Sequence, residues 1–220
     1  MKSRILPTAL LFTSAVFGQS ALRTPAGPDQ PMNMTVHLDP ISSPSDLIDL
    51  IRHSKLILDG AVQGLLPAVD VSRETSPLGG SPLLENDAIV KVATVFAGAV
   101  PNSSGAVVIA QHGGDLDNWH ESVPEDPLVA PGERYIFFLM QDHRTSVPNP
   151  TGLPRYWPVG IWSGKFKVTG GAVNVSQYAK PGLTALNGGS LSSFLQLLAL
   201  RIKQPYTGAD KNAPVSGAAK

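Results

Sequence analysis

Between His112 and Glu121 the chain places two imidazoles, three carboxylates and an amide within one short segment, His112-Gly113-Gly114-Asp115-Leu116-Asp117-Asn118-Trp119-His120-Glu121. Such groups can converge on a cation. Asp115, Asp117 and Asn118 are hard oxygen donors of the kind calcium takes, although the spacing lacks the rest of an EF-hand loop. His112 and His120 suit zinc, which would need a third ligand, and neither His37 nor His143 is placed by sequence. The candidate metal ligands are therefore His112, Asp115, Asp117, His120 and Glu121. The competing reading is a solvated loop whose glycines make a turn and whose Trp119 covers one end of the fold.

Aromatic residues offer a second chemistry. Trp119, Tyr156, Trp157 and Trp162 are candidate ligand-binding residues, because an exposed ring stacks on a sugar or covers an apolar patch of a partner. Trp157 and Trp162 lie five apart, so on a regular strand they point to opposite faces and one of them belongs to the core. The third possibility, a hydrolase, needs a nucleophile, a base and an orienting acid. The chain has no Gly-x-Ser-x-Gly elbow, no His-Glu-x-x-His and no phosphate-cradling glycine loop before a helix. No catalytic residue is assigned and no cofactor is implied. Sequons at Asn33, Asn102 and Asn174 read as chance matches.

With 17 basic and 17 acidic residues and no Lys/Arg run, the chain has no field with which to attract polyanions, which argues against nucleic acid and anionic membrane surfaces. It has no cysteine, which excludes disulfides, thiolate metal sites and a cysteine nucleophile. Lys2 and Arg4 precede an apolar stretch from Ile5 to Phe17, followed by the small residues Gly18, Ser20 and Ala21. That order predicts a secretory signal over residues 1–20 and a secreted or periplasmic protein. No later stretch reaches the length of about 20 apolar residues that a spanning helix needs.

Residues 21–43, rich in proline, read as a linker, and 44–203 as the domain. Ser43-Pro44-Ser45-Asp46 predicts a capped helix running to about His53, with Ser43 as cap and Pro44 at the first helical position. Strands are expected at 55–66, with Gly60 marking a bend or bulge, and at 89–97, 105–111 and 133–141, where β-branched and aromatic runs are bounded by turn residues. Residues 67–87, 112–131 and 142–158 read as long loops. Lys165 to Ser176 predicts a hairpin about Gly170-Gly171, with Val168 facing Val173 on a buried side and Lys165 and Lys167 on a wet one. Ser190 caps a helix from Leu191 to Lys203 whose stripe of Leu191, Phe194, Leu195, Leu198 and Ile202, widened by Leu197 and Leu200, needs covering. The apolar strand Tyr135 to Met140 is expected to be central, with that helix on one of its faces. Residues 204–220 read as a disordered tail.

The order of a short helix, Asp59-Gly60-Ala61-Val62, a strand ending at Gly98, a strand leading to Gly113-Gly114, Gly132-Glu133-Arg134-Tyr135 with Phe138-Leu139, and a closing hairpin resembles a group of exported bacterial domains. That group is built on a small barrel related to the OB and netrin-like folds. The resemblance covers roughly Asp46 to Val175. It implies a mainly β fold, a small antiparallel OB/netrin-like barrel with a short N-terminal helix and a C-terminal helix packed on it. Tissue inhibitors of metalloproteinases share the netrin-like fold but chelate zinc through an N-terminal cysteine, which this chain lacks. Two functions follow as expectations: a non-catalytic exported module binding a protein or glycan partner through its loops, or a cation-binding protein or metal-dependent hydrolase using the 112–121 loop.

Overall fold

The computed structural model describes residues 31–38, 43–72 and 82–204; the expected signal, most of the linker and the tail lie outside the described residues. Five strands close on themselves. They are β2 (Leu56–Leu65), β5 (Ala88–Ala97), β6 (Ala106–Ile109), β9 (Arg134–Gln141) and β10 (Arg155–Pro158), paired in the order β2, β5, β6, β10, β9 and back to β2. Closure removes exposed edges that would otherwise recruit foreign strands. The barrel is compatible with an OB-like one, but it is mixed rather than antiparallel: β6 and β10 run parallel, with Arg155 opposite Val108 and Tyr156 opposite Ile109. An odd number of strands cannot alternate direction around a closed ring, so one neighbouring pair has to run parallel.

Residues Gly60 and Gly170-Gly171 do what their lack of a side chain permits. The β2–β5 ladder shifts register between Asp59 and Gly60, and a Cβ at Gly60 would stand 2.6 Å from the Val90 side chain and 2.9 Å from the Lys91 carbonyl oxygen. Gly170 and Gly171 have φ of 59° and 80°, the positive pair a two-residue hairpin loop needs, and Val168 faces Val173 as expected.

Strand β9 is buried on both faces. Tyr135, Phe137 and Leu139 fill the barrel with Leu58, Val90, Val107, Ile109 and Tyr156. Ile136 and Phe138 point outward into a second core, where Phe194 and Leu198 of the C-terminal helix cover them. That helix (Leu191–Lys203) starts at Ser190, whose hydroxyl accepts the Ser193 N–H at 3.2 Å. Leu197 packs on the same core, whereas Leu200 stays 52% exposed and does not widen the buried stripe. The first helix, α1 (Leu47–His53), is capped by Asp46 rather than Ser43, since the Asp46 carboxylate accepts the Asp49 N–H at 2.9 Å. A four-residue helix, α2 (Pro181–Thr184), lies between, so the C-terminal helix is α3.

Three expected loops contain strands. Residues 67–87 contribute β3 (Val69–Asp70) and β4 (Leu84–Glu85), and 112–131 contribute β7 (Gly114–Leu116) and β8 (Trp119–Ser122). The segment read as linker supplies β1 (Met32–Thr35), which pairs parallel with β8. Its side chains alternate between half-buried and exposed, and with no wholly buried position the sequence shows little hydrophobic signal. The loop 142–158 ends in β10.

Candidate ligand cleft

Beyond Pro158 the chain turns through Gly160 into a 3-10 turn (Ile161–Gly164) and enters β11 (Lys165–Thr169), which pairs with the first half of β9 and with β12 (Ala172–Asn174). Alternation along β11 sends Phe166 into the outer core and Lys165 and Lys167 to the opposite face. That face was expected to be wet. It is instead crossed by residues 124–127, and Lys165 is buried in an ion pair with the fully enclosed Asp126, Nζ to Oδ1 2.5 Å. Lys167 pairs with Glu133, which also accepts the Tyr135 hydroxyl at 2.6 Å and the Ala130 N–H at 3.0 Å. Burial raises the Glu133 pKa, but those hydrogen bonds outweigh it and hold the carboxyl below its ordinary range. Burial and the same carboxylate push the Tyr135 phenol up.

Between this face and the turn after β12 lies a cleft of about 290 Å³, walled by Pro124, Glu125 and Asp126 on one side and Asn174 to Tyr178 on the other, with Trp162 at its base. Tyr178 is 44% exposed at this wall. Its N–H donates to the Ser176 hydroxyl at 3.3 Å, its carbonyl accepts the Trp162 Nε1–H at 3.0 Å, and the two rings meet edge to face at 6.3 Å. The ring is therefore held on fixed backbone. Across the cleft Glu125 bonds His37 at 2.5 Å, and this contact lowers the Glu125 pKa.

A second polar assembly closes one end of the barrel. Arg155 donates to Asp87 through Nε at 2.6 Å and Nη2 at 2.8 Å and to Glu85 at 2.6 Å, and it also pairs with Asp142. Arg144 joins Glu85, at 2.8 and 3.0 Å, to Asp142 at 2.9 Å. Both guanidiniums lie over Trp157, at 5.0 and 5.8 Å from its centroid. The assembly ties the β4–β5 connection to the β9–β10 connection. Burial raises the Asp87 pKa by more than Arg155 lowers it; at Asp142 the Arg144 hydrogen bonds and the Arg155 charge overcome burial and lower it.

No family model matches this chain, and no curated protein matches it in sequence. The cleft and the ionic assembly are therefore read from their own geometry.

The residues proposed from sequence divide between these places. Tyr156 fills the barrel and Trp162 lies in the outer core at the base of the cleft; the strand expected to separate Trp157 from Trp162 ends at Pro158. Trp157 lies half-buried against the arginines and Trp119 half-buried on β8. Of the proposed ligands, His120 and Asp115 bond each other across the β7–β8 hairpin at 2.7 Å, Asp117 occupies the hairpin turn with φ 52°, and Glu121 is buried and accepts the Leu84 N–H at 2.8 Å. Among the described residues no three such groups gather around one point. Sequence reasoning missed Tyr178, Asn174 and Gln177. The signal available was an isolated tyrosine in the polar turn Ser176-Gln177-Tyr178, between a hairpin and Pro181.

His112 stacks on Trp157, centroids 4.9 Å apart, and burial lowers its pKa. A depressed imidazole makes the unfolded chain the better proton acceptor, so stability present above about pH 6.5 is lost as the pH falls through the folded value. His112→Phe keeps a stacked ring and removes that loss. Its melting temperature relative to the parent is expected to rise as the pH is lowered from about 6.5 to 5; a constant difference over that range would contradict the assignment.

Proposed function

We propose that this chain is an exported, non-catalytic binding module that takes its ligand in the cleft between residues 124–127 and 174–178. The observation that carries the reading is Tyr178: a large exposed ring, anchored through both its N–H and its carbonyl, at the wall of a preformed recess. Anchoring lowers the ordering cost of recognition, because the backbone that presents the ring is already held. The buried charges of the described residues support a structural rather than a reactive role. Arg155 pairs with Glu85, Asp87 and Asp142, and Lys165 pairs with Asp126. Export is supported by the charged, apolar, small order at the start of the sequence, and the netrin-like resemblance by the motif order from Asp46 to Val175.

The absence of cysteine allows a clean test. Pro124→Cys, at the cleft wall, and Thr94→Cys, exposed on β5, each accept one environment-sensitive thiol fluorophore on the full chain. Screened against saccharides, short peptides and divalent cations, the Pro124 label is expected to give a saturable response to at least one class while the Thr94 label stays silent. A response confined to the Thr94 label, or to neither, would overturn the reading.

A further inference from the structure

The two lysines at the cleft are paired, Lys165 with Asp126 and Lys167 with Glu133, and Glu125 bonds His37 through Oε1 while its Oε2 has no hydrogen-bond partner among the described residues. An anionic ligand would have to displace the acid from one of these lysines, and for the buried Lys165–Asp126 pair that would strand an uncompensated charge. Apart from that carboxylate oxygen, what remains on offer is neutral. Among the described residues the Gln177 side chain and the Tyr178 hydroxyl make no hydrogen bond, and the Asn174 amide donates to the Lys167 carbonyl at 3.4 Å with its own oxygen still able to accept. Ser176 accepts from the Tyr178 N–H and keeps a hydroxyl proton to donate. Donors and acceptors thus alternate along one short turn, matching groups that themselves both donate and accept, which is the property of a hydroxyl.

Beside them stands one stacking platform. Tyr178 is 44% exposed, whereas Tyr135 and Trp162, also on the cleft wall, are 7% and 6% exposed and present little ring face. A proline-rich peptide seats successive residues between several exposed aromatic rings. A single anchored ring flanked by neutral polar side chains suits a single apolar ring face edged with hydroxyls. The volume of about 290 Å³ lies at the low end of the roughly 300–1,000 Å³ typical of small-molecule sites, so one or two rings fit and a folded partner does not.

We propose that the cleft binds a short neutral saccharide, one pyranose stacked on Tyr178 and its hydroxyls held by Asn174, Ser176 and Gln177. This rests on the cleft being the module's binding site. The test is amide chemical-shift mapping on the full chain with three uncharged disaccharides (maltose, cellobiose and N,N′-diacetylchitobiose) and, separately, a capped hexaproline peptide. Saturable shifts at residues 174–178 are expected with at least one disaccharide. Tyr178→Phe should keep both the affinity, within about twofold, and the edge contact with Trp162, and Tyr178→Ala should lose at least about tenfold in affinity while the melting temperature falls by only a few degrees, as expected for a half-exposed stacking ring. Shifts at 174–178 with the peptide and none with the sugars would overturn the saccharide assignment and leave the cleft as the site. Saccharide shifts that map onto β5 and β6 instead would overturn both.

Discussion

Arg155→Met is expected to lower stability by about 3–5 kcal/mol, because it leaves buried carboxylates without their counter-charge. For a domain of this size that corresponds to a fall in melting temperature of roughly 6–20 °C. The structural ground is that Arg155 is 7% exposed and reaches Glu85, Asp87 and Asp142 together, carboxylates whose side chains are at most 6% exposed. Arg144 remains, but of the three carboxylates it pairs with Glu85 and Asp142 and not with Asp87. The contribution of Asp142 to the pH dependence should invert. In the parent, Asp142 has a lowered pKa and contributes stability above its unfolded value of about 3.9 that is lost as the pH falls through the folded value. Without Arg155 the stranded acids bind protons more readily folded than unfolded, so the variant should melt higher at pH 5 than at pH 7. Asp87→Asn provides the contrast. The assembly holds three carboxylates against two guanidiniums, and burial already raises the Asp87 pKa, so neutralising it should cost less than about 1 kcal/mol. Thermal melts of the three proteins at both pH values check this; equal losses in the two variants would mean that the assembly is not balanced as described.

The barrel strands were legible because their chemistry is local. Runs such as Ile89 to Ala97 and Tyr135 to Leu139 combine β-branched and aromatic residues between turn residues, and Gly60 and Gly170-Gly171 mark a bulge and a turn through the one property only glycine has. The two-faced burial of β9 was equally readable from its lack of alternation. The parallel β6–β10 contact was not, since nothing local to Arg155 or Val108 records that they meet, and closure of an odd ring imposes it. The ionic assembly was hidden for the same reason. Glu85 and Arg155 lie seventy positions apart, and each alone reads as an ordinary surface charge. Lys165 misled in the opposite direction: alternation set it correctly on one face with the half-exposed Lys167, but its end of that face was assumed wet, and its burial depended on where residues 124–127 happen to cross. The cleft shares this origin. Tyr178 becomes conspicuous only once Trp162, sixteen residues earlier, is seen to hold its carbonyl.

Phe166→Ala should be the most damaging truncation outside the barrel interior. Phe166 is wholly buried at the point where β9, β11 and α3 meet. Its ring packs edge-on to Phe138 at 5.1 Å and against Phe194 at 5.3 Å, so it touches the outer face of β9 and the inner face of the helix at once. Removing it costs the transfer energy of the ring together with a cavity that strands on one side and a helix on the other cannot readily fill, about 3–5 kcal/mol. The loss should also be distributed unevenly. The barrel interior is a separate cluster around Phe137, Leu58 and Val107, to which Phe166 does not belong, whereas α3 is held to the rest of the molecule chiefly through Phe194, Leu198 and their neighbours. Amide exchange in α3 should therefore accelerate far more than exchange in β2 and β5, because the helix loses part of the apolar core that holds it while the barrel ladder keeps its own. Hydrogen exchange read residue by residue distinguishes this from simple global destabilisation: equal acceleration in α3 and β2 would show that the two cores unfold as one, and that the helix is an integral wall of the barrel rather than a cover over its outer face.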